Sequence, residues 1–225
     1  MAFATWIDDV RSDIESGARI GPWEGSVWRC LSRRYAADSA EGSLRATGRF
    51  HRAKDRFPEN ETLPALYTGC TEAIALGEVV RNAGSEMLAK LPLLCMSRLD
   101  VALSRVYRIY DPLIGESTRL LGLDFASECQ GFDYENTHAL ARFARDHAEA
   151  ILVPSCTGLR GGNLIIFPDK LTPSSRILAI ETTNLTLSKQ MNRYSSQPQP
   201  LPERGRVDPG GGRKAIPPKD GTCSA

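Results

Sequence analysis

Three short apolar runs, AILVPSC (150–156), GNLIIFP (162–168) and RILAIET (176–182), restrict the fold more than any other feature of the chain. Each is strand-length, rich in Ile, Leu and Val, and bounded by Gly, Pro or Ser, and a Gly-rich loop joins the first two. Ahead of them the spacing predicts a helix over 133–150, burying Leu140, Phe143, Ala144 and His147. Residues 97–111 read as extended chain that Asp111–Pro112 turns, and 71–84 as a helix capped by Thr71 and stopped near Gly84. Strands are expected at 64–69 and 27–31. A helix over 5–17 is capped by Thr5, carries Trp6, Ile7, Val10 and Ile14 at helical spacing, and is followed by a turn at PWEG (22–25). Residues 113–132 read either way. The order helix, strand, strand, helix, strand, helix, three strands implies a mixed α/β or α+β fold with a substantial antiparallel part.

A chain of 225 residues is enough for one ordinary domain. From Ser188 onward the apolar pattern stops and six of the 14 prolines appear, so residues 188–225 are expected to be a disordered appendage. That tail, counted from Lys189, holds seven Lys/Arg against three Asp/Glu, which leaves the body at net −3. A body of that charge excludes a general nucleic-acid binder, whose affinity comes from many phosphate-neutralising cations. The six cysteines are scattered without CxxC or Cys/His spacing, which argues against a structural metal site. No apolar run spans a bilayer and the acidic N-terminus is unlike a secretory signal. A cytoplasmic protein with reduced thiols is the expectation.

Four places carry potential chemistry. Arg29 interrupts an apolar strand beside Trp28, and a guanidinium there meets a carboxylate, a bound anion or water at a strand edge. Arg49 lies in GRF (48–50), at the start of a cationic stretch that includes His51, Arg52, Lys54 and Arg56; Gly48 permits close backbone approach, and the fork suits a phosphate. A solvated loop is the plainer account of the same charges. Glu78 lies at the border of the apolar face of the 71–84 helix, either in a surface pair with Arg81 or as a carboxylate in a cleft. Ser155 follows Pro154 at the lip of a strand, with neither a GxSxG elbow nor a histidine triad to make it a nucleophile.

Taken in order, VWR ending at Arg29, GRF at 48–50, ALY ending at Tyr67, ALGEV ending at Val79, VPS ending at Ser155 and the later NLIIF resemble the RES domain, from about Pro22 to Glu181. The resemblance implies an α+β fold with an ADP-ribosyltransferase-like split mixed sheet. The domain would span 22–187, after an N-terminal helical extension over 1–21. It implies an enzyme that takes NAD+ as substrate, without a further cofactor or metal, and cleaves the nicotinamide–ribose bond. Arg29 and Arg49 would hold the pyrophosphate, Tyr67 would border the nicotinamide, Glu78 would be the catalytic carboxylate, and Ser155 would orient a ribose or nicotinamide group. Many members are bacterial toxins paired with an Xre-type helix-turn-helix antitoxin; the resemblance involves no membrane or direct nucleic-acid partner and leaves a homo-oligomer open.

The chain departs from the common pattern in two ways. Sixteen residues separate Phe50 from Tyr67, more than the compact connection of many members, and His51 stands where those have Asn. Two other classes remain: a mono-ADP-ribosyltransferase acting on a protein, and an inactive RES-fold binding or regulatory module. The acceptor of ADP-ribose (water, phosphate or a macromolecule) is open at the level of sequence.

Overall fold

The computed structural model describes residues 3–17, 19–90, 93–109, 134–157 and 159–186. Expectations for the side chains of Trp6 and Ile7, for 113–132 and for the 188–225 tail lie outside these described residues. The elements run α1 (Phe3–Ser16), β1 (Ile20–Ser32), β2 (Leu66–Gly69), α2 (Glu72–Lys90), β3 (Leu94–Arg108), α3 (Glu135–Arg145), β4 (Ala150–Pro154), β5 (Gly162–Ile166) and β6 (Arg176–Asn184). That is the expected order, but several boundaries differ. PWEG is no turn: it lies inside β1, where the register shifts between Gly21 and Trp23, the kind of irregularity that accommodates Pro22 in a strand. Thr5 falls within α1 rather than capping it. Helix α2 runs through Gly84 to Lys90, because one glycine costs a helix only about 1 kcal/mol. The 133–150 helix ends at Arg145, freeing Ala150 for β4.

The sheet order is β1-β2-β5-β4-β3-β6, with a second pairing of β1 to β3 that closes the first five strands on themselves. Four of those five pairings are antiparallel; β3 and β4, separated by α3, are parallel. Strand β6 pairs with β3 outside the closed set and stands at its edge, with Leu178 and Ile180 exposed.

Period-two alternation sorts the side chains. Leu152 of β4, Leu164 and Ile166 of β5, Leu66 of β2, Val27 of β1 and Leu99 of β3 share one buried cluster to which every closing strand contributes. The alternate residues Ile151, Val153 and Ile165 join Val10 and Ile14 of α1 with Leu140 and Ala144 of α3 in a second. Helix α2 covers a third, packing Ala75 and Leu76 against Leu94, Met96 and Trp28. Both faces of the strands are therefore buried, which is why AILV and LII are continuous apolar runs rather than alternating ones.

Candidate active site

The candidate side chains gather where β2 ends, β4 ends and β5 begins. Trp28 of β1, Gly69 of β2, Asn163 of β5 and Val153 of β4 lie in one row across the strands, so Ser155 emerges just past the row. Helix α2 starts immediately beyond β2, and Thr71 caps it by accepting the N–H of Ile74 at 3.2 Å. Two turns in, this cap brings Glu78 over the same end of the sheet.

There the Glu78 carboxylate accepts three hydrogen bonds, all on Oε1: Ser155 Oγ at 2.9 Å, the Cys156 N–H at 2.9 Å and Asn163 Nδ2 at 2.7 Å. Among the described residues none of the donors is on Oε2. Three donors on one oxygen fix the plane of the carboxylate and leave the other oxygen for a ligand. Ser155 has a single hydroxyl proton, given to Glu78, while its oxygen accepts the N–H of Thr157 at 3.2 Å. Its proton is therefore engaged by the Glu78 carboxylate, and no histidine bonds its oxygen among the described residues. The 155–161 loop that presents it is closed by Ser155 N–H on the Gly161 carbonyl at 3.0 Å. Gly161 has φ +135°, and a Cβ there would come within 2.4 Å of Ile74 Cδ1 in α2.

Arg49 reaches the same loop, its Nη1 donating to Cys156 Sγ at 2.8 Å. Glu78 and Arg49 thus meet on one residue, Cys156, through its backbone N–H and its sulfur. Among the described residues Cys30, Cys70 and Cys95 are free thiols.

Tyr67 is joined to the Arg49 turn. Its hydroxyl accepts the Phe50 N–H at 2.8 Å and lies 2.9 Å from His51 Nδ1, and burial holds it well above the ordinary phenol pKa. Its ring meets Phe50 at 6.5 Å and stands edge-on to His51 at 5.3 Å.

Arg29 is buried, as a strand Arg with partners must be, but those partners are backbone: Nη1 donates to the carbonyls of Ala37 at 2.7 Å and Ser39 at 2.6 Å. Burial lowers its pKa to about 10, so it remains a cation. It holds the loop after β1, and no bond of its own joins it to the Glu78 cluster. The structure thus brings together Arg49, Tyr67, Glu78 and Ser155 and leaves Arg29 at a neighbouring strand position. Sequence reasoning missed Asn163 and the Cys156 N–H. The Asn at the head of NLIIF, a buried polar side chain opening an apolar strand, was the available signal; a backbone donor leaves none.

Among the described residues no His/Cys/Asp/Glu cluster suits a metal ion, and no helix is long and apolar enough to cross a membrane. A family model described as the RES domain matches residues 26–188. Among solved structures, a chain of the M. tuberculosis MbcT–MbcA toxin–antitoxin complex is similar at 19% identity and a TM-score of 0.64, covering 84% of this chain and 98% of that one. No curated protein matches.

Proposed function

The chain belongs to the RES domain family, and on that premise we propose that it is an NAD+-consuming enzyme on an ADP-ribosyltransferase-like fold. It cleaves the bond between nicotinamide and ribose. The observation that carries this reading is Glu78, fixed through Oε1 by Ser155, Cys156 and Asn163 with its second oxygen left for a ligand.

As the C1′–N bond breaks, its electron pair leaves with nicotinamide, which departs neutral, and the ribose acquires oxocarbenium character. A carboxylate held rigidly beside it stabilises that charge without reorganising, and the same oxygen is suited to accept a ribose hydroxyl. Water then adds to C1′ and releases a proton, or inorganic phosphate adds in its place. Arg49 supplies a fork to the diphosphate, and Tyr67 offers a ring as the wall for a planar cation. Arg29 supports the adjoining loop and adds positive potential. A chain of this kind arrests growth by depleting NAD+, as a toxin restrained by a small helix-turn-helix antitoxin. The similarity to a chain of a toxin–antitoxin complex supports that partner class.

The test is release of free nicotinamide from NAD+ by purified wild type and by Glu78→Ala, with and without phosphate. Equal release by the two proteins sinks the reading. The mass of the product identifies the acceptor: ADP-ribose for water, ADP-ribose phosphorylated on that same anomeric carbon for phosphate. Expression of wild type, but not of Glu78→Ala, is expected to stop growth.

A further inference from the structure

His51 is buried inside an otherwise cationic stretch, and its surroundings assign it a task. Its Nε2 lies 2.7 Å from the Ala46 carbonyl, which only accepts, so Nε2 carries a proton. Nδ1 is then a bare acceptor, 2.9 Å from the Tyr67 hydroxyl. That hydroxyl already accepts the Phe50 N–H at 2.8 Å, so its own proton is directed to Nδ1. The imidazole also requires Gly48 beneath it: a Cβ there would stand 2.4 Å from His51 Cε1 and 2.8 Å from Nδ1. A second histidine reaches in from α3, with His138 Nε2 at 2.8 Å from the Gly48 carbonyl.

All these ties end on one turn, Gly48 to His51, closed by the His51 N–H on the Gly48 carbonyl at 3.3 Å. The second residue of that turn is Arg49, whose guanidinium reaches Cys156. Its flanks, His51 and Gly48, are fastened to the hydroxyl of Tyr67 and to α3.

We propose that His51, assisted by His138, is a positioning residue for the NAD+ diphosphate. The neutral imidazole holds the 48–51 turn, and with it Arg49 and the Tyr67 ring, in the arrangement that receives the ligand. Protonation of Nδ1 replaces an acceptor by a donor facing the Tyr67 O–H, which must swing its proton away from its acceptor, so the bond that seats the turn is reversed and weakened. The charged and titratable groups around His51 are His138 and Arg145 of α3, Tyr67 of β2, and Asp55 of the following loop; Arg52 and Arg56 face His138. Burial, the largest influence on each, holds both imidazoles below the ordinary histidine value, so the neutral arrangement is the resting one at neutral pH. The identity of the ligand rests on the proposed NAD+ reading; the protonation state and its hold on the turn do not.

The experiment has two arms, both on the full-length chain. Imidazole nitrogen NMR at about pH 7.5 is expected to show His51 neutral with its proton on Nε2, and its acid titration is expected to move the Arg49 side-chain resonances in step. Calorimetry with ADP-ribose, a probe that is not turned over, is expected to show affinity constant above about pH 6.5 and falling below it, by about two- to threefold at about pH 5.5 and further as the pH is lowered through the His51 titration. His51→Gln keeps an amide oxygen for the Tyr67 hydroxyl but cannot become charged. It is expected to bind within about threefold of wild type at neutral pH and to lose most of the acid dependence. Tyr67→Phe, checked for fold by circular dichroism, is expected to weaken binding about fivefold at neutral pH. His51→Gln with the wild-type pH profile overturns the proposal, as do Arg49 resonances indifferent to the His51 titration. Wild type that binds neither ADP-ribose nor NAD+ while Arg49 tracks His51 overturns the NAD+ reading and upholds the positioning role.

Discussion

Glu78 and Glu149 are both carboxylates gripped by several donors, and they are gripped in opposite ways. Glu149, which opens the approach to β4, is buried with both oxygens occupied. Oε2 accepts the N–H groups of Ser104 at 2.7 Å and Arg105 at 2.9 Å, and Oε1 accepts the Thr172 N–H at 2.8 Å and the Ser175 hydroxyl. It ties β3 to the loop before β6 and has no capacity left. Glu78 receives its three donors on one oxygen. A saturated carboxylate stabilises a fold; one that is braced on one side and open on the other is equipped for chemistry.

The sharpest way to break the comparison is Glu78→Gln. The amide oxygen still accepts the three donors but carries no charge, so nicotinamide release is expected to fall by about 10²–10³-fold. The thermal midpoint is expected to stay within a few degrees of wild type. The same change at Glu149 is expected to do the reverse. An NH₂ then confronts backbone N–H donors, lowering stability by about 2–4 kcal/mol in denaturant titration, with the folded fraction still active. Should Glu149→Gln abolish turnover without destabilising the chain, the division between the two is wrong.

Acid provides a milder probe. Burial by itself raises the pKa of Glu149, but hydrogen bonds from Ser175, Thr172 and Arg105 outweigh it and hold the carboxylate below its ordinary value. A folded-state pKa below the unfolded one contributes stability above the unfolded value, near about pH 4.3, and loses it as pH falls through the folded value. His51 and His138 are also lowered, so their contribution is whole above about pH 6.5 and declines below it. Denaturant midpoints are expected to drop in two acid stages, and His51→Gln to flatten the upper one.

Asn163→Ala removes one of three braces from Glu78, and turnover is expected to fall about fivefold to tenfold with binding little changed. Lys54→Ala is expected to do least. Its exposed pair with Glu59 lies on the cationic stretch between Arg49 and Tyr67, and neither binding nor stability is expected to shift measurably.

That gradient also marks what the sequence made visible. The order of nine elements was legible because period-two and helical spacing are local signals, and it holds throughout. Glu78 stood out as a carboxylate at the border of an apolar helix face, and Ser155 as a hydroxyl at a strand's lip. What brings them together was not legible: the Glu78 bonds cross 77, 78 and 85 residues, and one donor is a backbone amide. Arg29 shows the converse. Its type and strand position drew attention, yet the carbonyls it meets, Ala37 and Ser39, belong to a loop whose path no local pattern encodes. His51 read as one more cation in a basic run; burial makes it a neutral anchor, a difference that only the Ala46 and Tyr67 contacts reveal.

The spacing of the Glu78 bonds has a consequence for the timing of synthesis. Arg49, Tyr67 and Glu78 leave the ribosome early, but the β4–β5 segment that orients the carboxylate emerges some 77 to 85 residues later. Strand β4 joins the sheet through the late part of β3, and β5 through β2, so closure waits on both. A nascent chain that stops short of Asn163 therefore carries a loosely held acid on an uncovered helix. The three-donor grip on Glu78 forms only after the first residues of β5 have emerged.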